Sequence, residues 1–259
     1  MKIISIINQK GGVGKSSTAL AIGAGLKLKG YKVLFIDLDP QGNLSYTLQA
    51  DTAGYGALGI LQRPETVKEE IQQTAEGDAV ASSPLLAGAD NSITQTGKEY
   101  KLKEALSIIS KDYDYCIIDT APALGILTIN ALTACTGAII PAQADIYSLQ
   151  GIGQLYSTIE AVKKYTNPTL EVLGIVITRY NNRTIIGREV AGILEDTAKS
   201  LNTQLYKTKI REGIALVESQ AERENIYKYA PRSNVARDYK ALVDEIIKQQ
   251  EANNGKKEL

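Results

Sequence analysis

The stretch "INQKGGVGKSST", residues 7–18, decides the fold. The common phosphate-binding loop reads G-x-x-x-x-G-K-[ST], and the position five before Gly14 holds Gln9 where that pattern has glycine. A second lysine, Lys10, follows at once. Glycines at 11, 12 and 14 permit backbone angles closed to other residues and let the loop amides approach an anion. A helix opening near Lys15 points the positive end of its dipole at the same spot. The backbone from Gly11 through Gly12, Val13 and Gly14 is therefore expected to cradle a chain of phosphates. Lys15 would reach β- and γ-phosphate oxygens, the Ser16 hydroxyl would ligate Mg²⁺, and Ser17 would bond the α-phosphate.

Outward from the loop, the pattern alternates between two periods. "KIISII" (residues 2–7) is a short β-branched run, and "SSTALAIGAGLKLKG" has helical composition ending at Gly30, a C-terminal cap. "YKVLFIDLDP" is then a buried strand ending in acids, so residues 2–39 form one βαβ unit with the glycine loop at its first turn. Further runs follow at "DAVAS", "YDYCIIDTAP", "TGAIIPAQ", "LEVLGIVITRY" and "QLYKTKI", separated by helical or mixed segments. Near-continuous apolar strands alternating with helices predict an α/β fold: a mainly parallel, doubly wound sheet with helices on both faces. Residues 1–250 are expected to form one domain and residues 251–259, "EANNGKKEL", a polar tail.

A nucleotide hydrolase also needs carboxylates at the C-terminal ends of strands beside the loop. "CIIDTAP" places Asp119 after an apolar run, the Walker B arrangement for holding Mg²⁺ or its water shell. "VLFIDLDPQGN" places Asp37 and Asp39 two apart, and side chains two apart on a strand share a face. The chain has no histidine, so proton chemistry falls to carboxylates, lysines, hydroxyls or backbone. Asp39 is the candidate for orienting an attacking water and Asp37 for the outer shell of the metal.

Composition narrows the function classes. An apolar fraction of 44% over 259 residues is that of a globular chain. Cys116 and Cys135 lie inside apolar runs without C-x-x-C spacing, which argues for buried thiols rather than a zinc site or disulfide. The N-terminus turns polar too soon for a signal peptide, and no apolar run is long enough to span a bilayer, so a cytoplasmic protein is expected. Net charge is zero but unevenly spread. Residues 37–104 hold eleven acidic and five basic side chains, residues 163–188 five basic against Glu171 alone, and residues 207–240 eight basic against five acidic. Such asymmetry can mark a face for polyanions.

The set "KGGVGKSS", "DLDPQGN" and "IIDTAPALG" resembles the ParA/Soj family of deviant Walker ATPases, within the ParA/MinD superfamily. "PAQADIYSLQGIGQLYSTIEAVKK" and "YAPRSNVARDYKALVDEI" resemble its later parts, so the similarity runs from about residue 1 to 248. The resemblance implies ATP and Mg²⁺ as ligands and a homodimer when ATP is bound. It implies that Lys10 reaches across that dimer to the partner's phosphates, as an arginine finger does, and that Asp39 positions the hydrolytic water. It implies adenine contacts around "TRYNN" and Ile210, for which Arg179 and Arg211 are the candidates.

Within the family, the ParA branch binds double-stranded DNA nonspecifically, and a ParB-like site-binding protein stimulates hydrolysis and release. That implies a nucleoid-associated ATPase segregating a plasmid, mobile element or chromosome. Lys163, Lys164, Arg183, Arg188 and Arg211 are the DNA-contact candidates, since cationic phosphate contacts give sequence-independent affinity. The sequence departs from many relatives after Arg211, where "REGIALVES" carries no second basic residue. The alternative is a MinD-like or cargo-positioning switch acting on a protein partner at nucleoid or membrane. "ARDYKALVDEIIKQQ" places Ala236, Tyr239, Leu242, Val243, Ile246 and Ile247 on one stripe, but its polar face mixes acids with Lys240 and Lys248. Packing against the sheet, with no membrane contact, is therefore expected. Because Met1 leads straight into the first strand, an N-terminal helix-turn-helix is not expected.

Overall fold

The computed structural model describes residues 1–181 and 185–257; for residues 146, 147, 149, 150, 185–188 and 253–257 it describes the backbone alone. The chain begins with β1 (Lys2–Ile6), α1 (Lys15–Leu28), β2 (Val33–Leu38), α2 (Asn43–Leu48) and α3 (Gly56–Gln62). A hairpin of β3 (Ile71–Thr74) and β4 (Gly77–Val80) follows, then α4 (Ala89–Ser92), α5 (Lys101–Ile108), β5 (Tyr115–Thr120) and α6 (Ile126–Ala134). The second half holds β6 (Gly137–Gln143), α7 (Ile146–Tyr165), β7 (Glu171–Thr178), α8 (Ile185–Ser200), α9 (Ile214–Ala221), α10 (Ile226–Tyr229) and α11 (Asn234–Lys257).

The seven strands form one sheet in the order β3-β4-β2-β5-β1-β6-β7. Among the described strands, only β3 runs antiparallel to its neighbour. From β1 the chain crosses toward β2 on one side and later reaches β6 on the other. The order thus reverses at β1, and a doubly wound sheet opens its crevice where that happens, at the C-terminal strand ends.

Alternation along the strands supplies both faces. Ile4, Ile6, Phe35 and Ile117 pack on one side with Ala21, Ile22, Tyr239 and Leu242 from α1 and α11. Leu34, Ile36 and Ile118 point to the other side, under α3, α5 and α6. Ile140, Ile175 and Ile177 are covered by α7 and α8. Each near-continuous apolar run is thus explained by burial on two faces. The apolar stripe of α11 is spent on this core, as the sequence predicts: Tyr239, Leu242, Val243 and Ile246 are all buried. Close approach of α1 to the sheet depends on Gly23, where an added Cβ would stand 2.2 Å from Phe35 Cε1.

Two elements differ from expectation. The segment 204–210 is not a strand but an interrupted companion to β7, bridged at Leu205 to Ile175. Its backbone follows β7 through Tyr206 N to Ile175 O (2.9 Å) and Ile210 N to Ile177 O (2.8 Å). Between these, the Glu245 carboxylate accepts from the amides of Lys207 and Thr208, which draws those donors away from the sheet. Conversely β3, "IQQT", is too polar to stand out as a strand, and it pairs because Gly77, at φ 143°, turns the hairpin. The last helix runs to Lys257, through residues 251–257 of the polar tail.

Candidate functional site

The loop joining β1 to α1 is set from both sides. Gly12 and Gly14 take φ of 74° and 85°, the left-handed region that favours glycine. Asn8 donates to Pro141 O (2.7 Å) while its Oδ1 accepts from the Lys10 amide (2.9 Å). Gln143 Nε2 donates to Gly12 O (2.9 Å), and the Thr178 hydroxyl to Val13 O (2.8 Å). The ends of β6 and β7 therefore hold the loop's carbonyls outward, which leaves its amides facing the crevice. The first turn of α1 has no acidic residue and no side-chain cap, so its free N–H groups suit an anion.

Lys15 is buried, and burial lowers its pKa against the opposing pull of Asp119 and Asp39. Its ammonium donates to Lys10 O (3.1 Å). Lys10 itself points elsewhere: its Nζ lies 2.5 Å from Asp145 Oδ2. Asp145 caps α7 by accepting from Ser148 N (2.9 Å). Partial burial would raise the Asp145 pKa, but Lys10 and the Ser148 amide outweigh it and hold the carboxyl below its ordinary value.

Asp119 and Asp39 lie near Lys15, and Asp37 stands beside Asp119. Asp37 and Asp119 are register partners on β2 and β5, and Asp39 follows the end of β2. Asp37 Oδ2 accepts from both the amide (2.8 Å) and hydroxyl (2.7 Å) of Ser45, and its Oδ1 from the Asp39 amide (3.1 Å). Burial nevertheless raises its pKa to about 6. Asp119 is wholly buried; desolvation and the neighbouring Asp37 push its pKa well up, opposed by Ser16 and Lys15. One of its oxygens, Oδ2, has no hydrogen-bond partner among the described residues. A concentration of buried negative charge with an orphaned oxygen beside a P-loop serine suits a divalent cation. Among the described residues no group of three or more acids, cysteines or histidines could hold a metal ion by itself.

A cleft of about 750 Å³ runs from the glycine loop past Asp39 to α9, a volume within the range of small-molecule sites. Arg179 and Arg211, the candidate base contacts, both line its far end. Each is held by an acid: Arg179 Nη2 lies 2.9 Å from Glu212, and Arg211 grips Asp238 at 2.9 and 2.6 Å. Sequence reasoning misses α9 as part of the wall. Its Gln220 donates to the Ser17 hydroxyl (2.5 Å), and Leu216 and Val217 add apolar lining. Nothing in "IALVESQA" distinguishes this helix from any surface helix, so the sequence carries no signal for it.

Of the DNA-contact candidates, the described ones do not all lie on one element. Lys163 and Lys164 close α7, Lys163 paired with Glu160 (3.5 Å) and Lys164 over the Tyr165 ring (5.0 Å). At a rise of about 1.5 Å per residue they sit nearly 30 Å along the helix from Asp145. Arg211 lines the cleft instead. Arg183 and the side chain of Arg188 lie outside the described residues. No described helix is long and apolar enough to cross a membrane.

Known proteins bear on this geometry. The AAA domain family model matches residues 1–172. The sporulation initiation inhibitor protein Soj of Bacillus subtilis (strain 168) is 38% identical over 250 residues, which are 95% of this chain and 98% of Soj. Cobyrinic acid a,c-diamide synthase from Mycobacterium smegmatis, solved with bound ADP and magnesium, has a TM-score of 0.85 and 32% identity, covering 98% of this chain and 96% of that one. A putative plasmid partition protein from Borrelia burgdorferi B31, solved bound to AMPPNP, has a TM-score of 0.78 and 25% identity over 97% of this chain and 99% of that one. A glycine loop with two lysines, a buried acidic trio and similarity along nearly the whole chain agree: this protein belongs to the ParA/Soj family of deviant Walker ATPases, within the ParA/MinD superfamily.

Proposed function

We propose that the chain is a Mg²⁺-dependent ATPase that binds DNA nonspecifically as an ATP-bound homodimer and serves partition of a plasmid, mobile element or chromosome. The observation that carries this reading is buried Lys15 beside the Asp39 and Asp119 carboxylates, with Asp37 next to Asp119, at the mouth of a braced glycine loop. The phosphates of ATP would lie on the amides from Gly11 to Ser17, with Lys15 turning from Lys10 O to their terminal oxygens. Ser16 and Asp119 would hold Mg²⁺, directly or through water, with Asp37 behind them; the metal offsets charge on the phosphates. Asp39 would orient the attacking water, because its carboxylate is fixed by the Gln41 amide (3.0 Å) at the edge of the cleft. Lys10 would leave Asp145 for the partner's nucleotide, so each site is completed only in the dimer.

DNA affinity would come from basic side chains doubled by dimerisation, among them Lys163, Lys164, Arg183, Arg188 and Arg211, and would fall with salt. The likeness to a protein named for plasmid partition supports, for this chain, a ParB-like site-binding partner and a place on the nucleoid in the cytoplasm. Binding to random-sequence duplex DNA, with ATP, ADP or no nucleotide and at two salt concentrations, tests this reading. Salt-sensitive binding with ATP alone supports it. Absence of binding in every state overturns the DNA part and turns attention to a protein cargo.

A further inference from the structure

Two short helices that line the cleft end in the same unusual way. α2 closes with Gln49 N bonded to Tyr46 O (3.2 Å) and Ala50 N to Ser45 O (3.0 Å). α9 closes with Arg223 N bonded to Gln220 O (3.1 Å) and Glu224 N to Ser219 O (2.8 Å). Both are Schellman caps, in which the residue just past the helix turns left-handed and is ordinarily glycine. Here those positions hold Gln49, at φ 58°, and Arg223, at φ 53°. A left-handed conformation without glycine is a strained choice that persists where surrounding contacts fix it.

The contacts that fix it join the two helices. Gln49 Nε2 donates to Arg223 O (3.3 Å), and the Arg223 guanidinium carbon sits 4.0 Å from the centre of the Tyr46 ring. Tyr46 and Gln41 form the partition between the main cleft and a second cavity of about 400 Å³, which Arg223 also lines. α2 follows directly on the turn Asp39-Pro40-Gln41-Gly42, and its successive residues secure that turn from two directions. Ser45 is bonded inward to Asp37, while Tyr46, half exposed, is held outward by Arg223. At this same C-terminal end, one turn before Arg223, α9 touches the phosphate loop through Gln220 and Ser17.

We infer that Tyr46 and Arg223 are positioning residues: their stack straps the segment carrying Asp39 to the helix that touches the phosphate loop, so that the strap governs hydrolysis rather than nucleotide binding. This rests on the ATPase reading above. The stack lies off the phosphate-binding amides, so losing it leaves the binding groups in place and lets Asp39 wander.

Arg223→Gly is the cleanest probe, because glycine accepts φ 53° and preserves the cap while removing the guanidinium. Tyr46→Phe keeps the aromatic face, and Tyr46→Ala removes it. For each, equilibrium binding of a fluorescent ATP analogue is measured beside the single-turnover rate at saturating ATP. Arg223→Gly and Tyr46→Ala are expected to slow turnover by about fivefold, the scale of one cation–π interaction, with binding within about twofold of the parent. Tyr46→Phe is expected to match the parent in both. Unchanged turnover in Arg223→Gly and Tyr46→Ala, a parallel fall of binding and turnover, or a Tyr46→Phe as slow as Tyr46→Ala would overturn the strap. A parent chain that binds the analogue and does not turn it over, or binds none, overturns the ATPase reading itself and the strap with it.

Discussion

Asp37 and Asp119 stand side by side on neighbouring parallel strands, register partners with both side chains buried and the Lys15 ammonium close to Asp119. Burial raises the Asp37 pKa to about 6, above its ordinary value of 3.8. The sign follows from proton counting. Between those two pH values the folded chain holds a proton that the unfolded chain has lost, so this group's contribution to stability declines as pH rises toward about 6 and is level above it. A divalent cation competes with that proton. Stabilisation of the chain by Mg²⁺ with ADP should therefore be small near pH 5 and reach its plateau above about pH 7. Melting temperatures with and without metal across that range check this; a metal effect as large near pH 5 as at pH 7 would contradict it.

Lys15→Ala should abolish productive nucleotide binding. The ammonium is a buried cation beside Asp39 and Asp119, and no described neighbouring side chain on α1 replaces it in the loop. Calorimetric titration with ATP and Mg²⁺ is expected to show affinity reduced by at least about a hundredfold, the scale of a charge-assisted hydrogen bond removed from a buried site. Affinity equal to the parent's would remove the loop from the site.

Asp39→Ala should separate two events. The variant keeps the phosphate amides, Lys15 and Ser16, so ATP-dependent dimerisation persists, while the loss of the group that orients the attacking water slows hydrolysis by about a hundredfold or more. Sedimentation with ATP and phosphate release, measured on one preparation, check both halves. Normal hydrolysis would show that another group orients the water.

Asp145→Asn should weaken the hold on Lys10 and leave α7 capped, since the amide oxygen still accepts from Ser148 N. The pair is about one-third exposed on each side, which limits its worth to roughly 1 kcal/mol. ATP-dependent dimerisation is expected to tighten by up to about fivefold, read as a shift in the concentration midpoint. A weaker dimer would assign Asp145 a role in the interface instead.

Gly23→Ala should destabilise the fold. The new methyl meets the Phe35 ring at 2.2 Å, with the ring wholly buried between α1 and β2. Overpacking of this kind costs about 1–3 kcal/mol, visible as a lower urea midpoint at unchanged slope.

Local signals announce the parts of the site that are local. A glycine loop between a strand and a helix, and acids closing apolar strands, place Lys15, Asp37 and Asp119 together once the strands run parallel, because the C-terminal ends then meet. Ser45, Gln143 and Gln220 depend on contacts across the fold, and a serine or glutamine without periodicity announces nothing. The interrupted segment 204–210 has the same origin: its composition is that of a strand, and a distant acid, Glu245, decides otherwise. Charge counting finds the basic stretches but not their arrangement, since Lys163 and Lys164 point from one end of α7 while Arg211 turns into the cleft.

Whether Lys10 acts on the neighbouring subunit's nucleotide is tested most directly by mixing two variants, Lys10→Ala and Asp39→Ala, each inactive alone. In a mixed dimer one site would combine an intact Asp39 with the partner's intact Lys10. Random pairing at equal concentrations then predicts ATP turnover restored to about a quarter of the parent value. A mixture as inactive as its separate components would contradict a lysine supplied across the dimer.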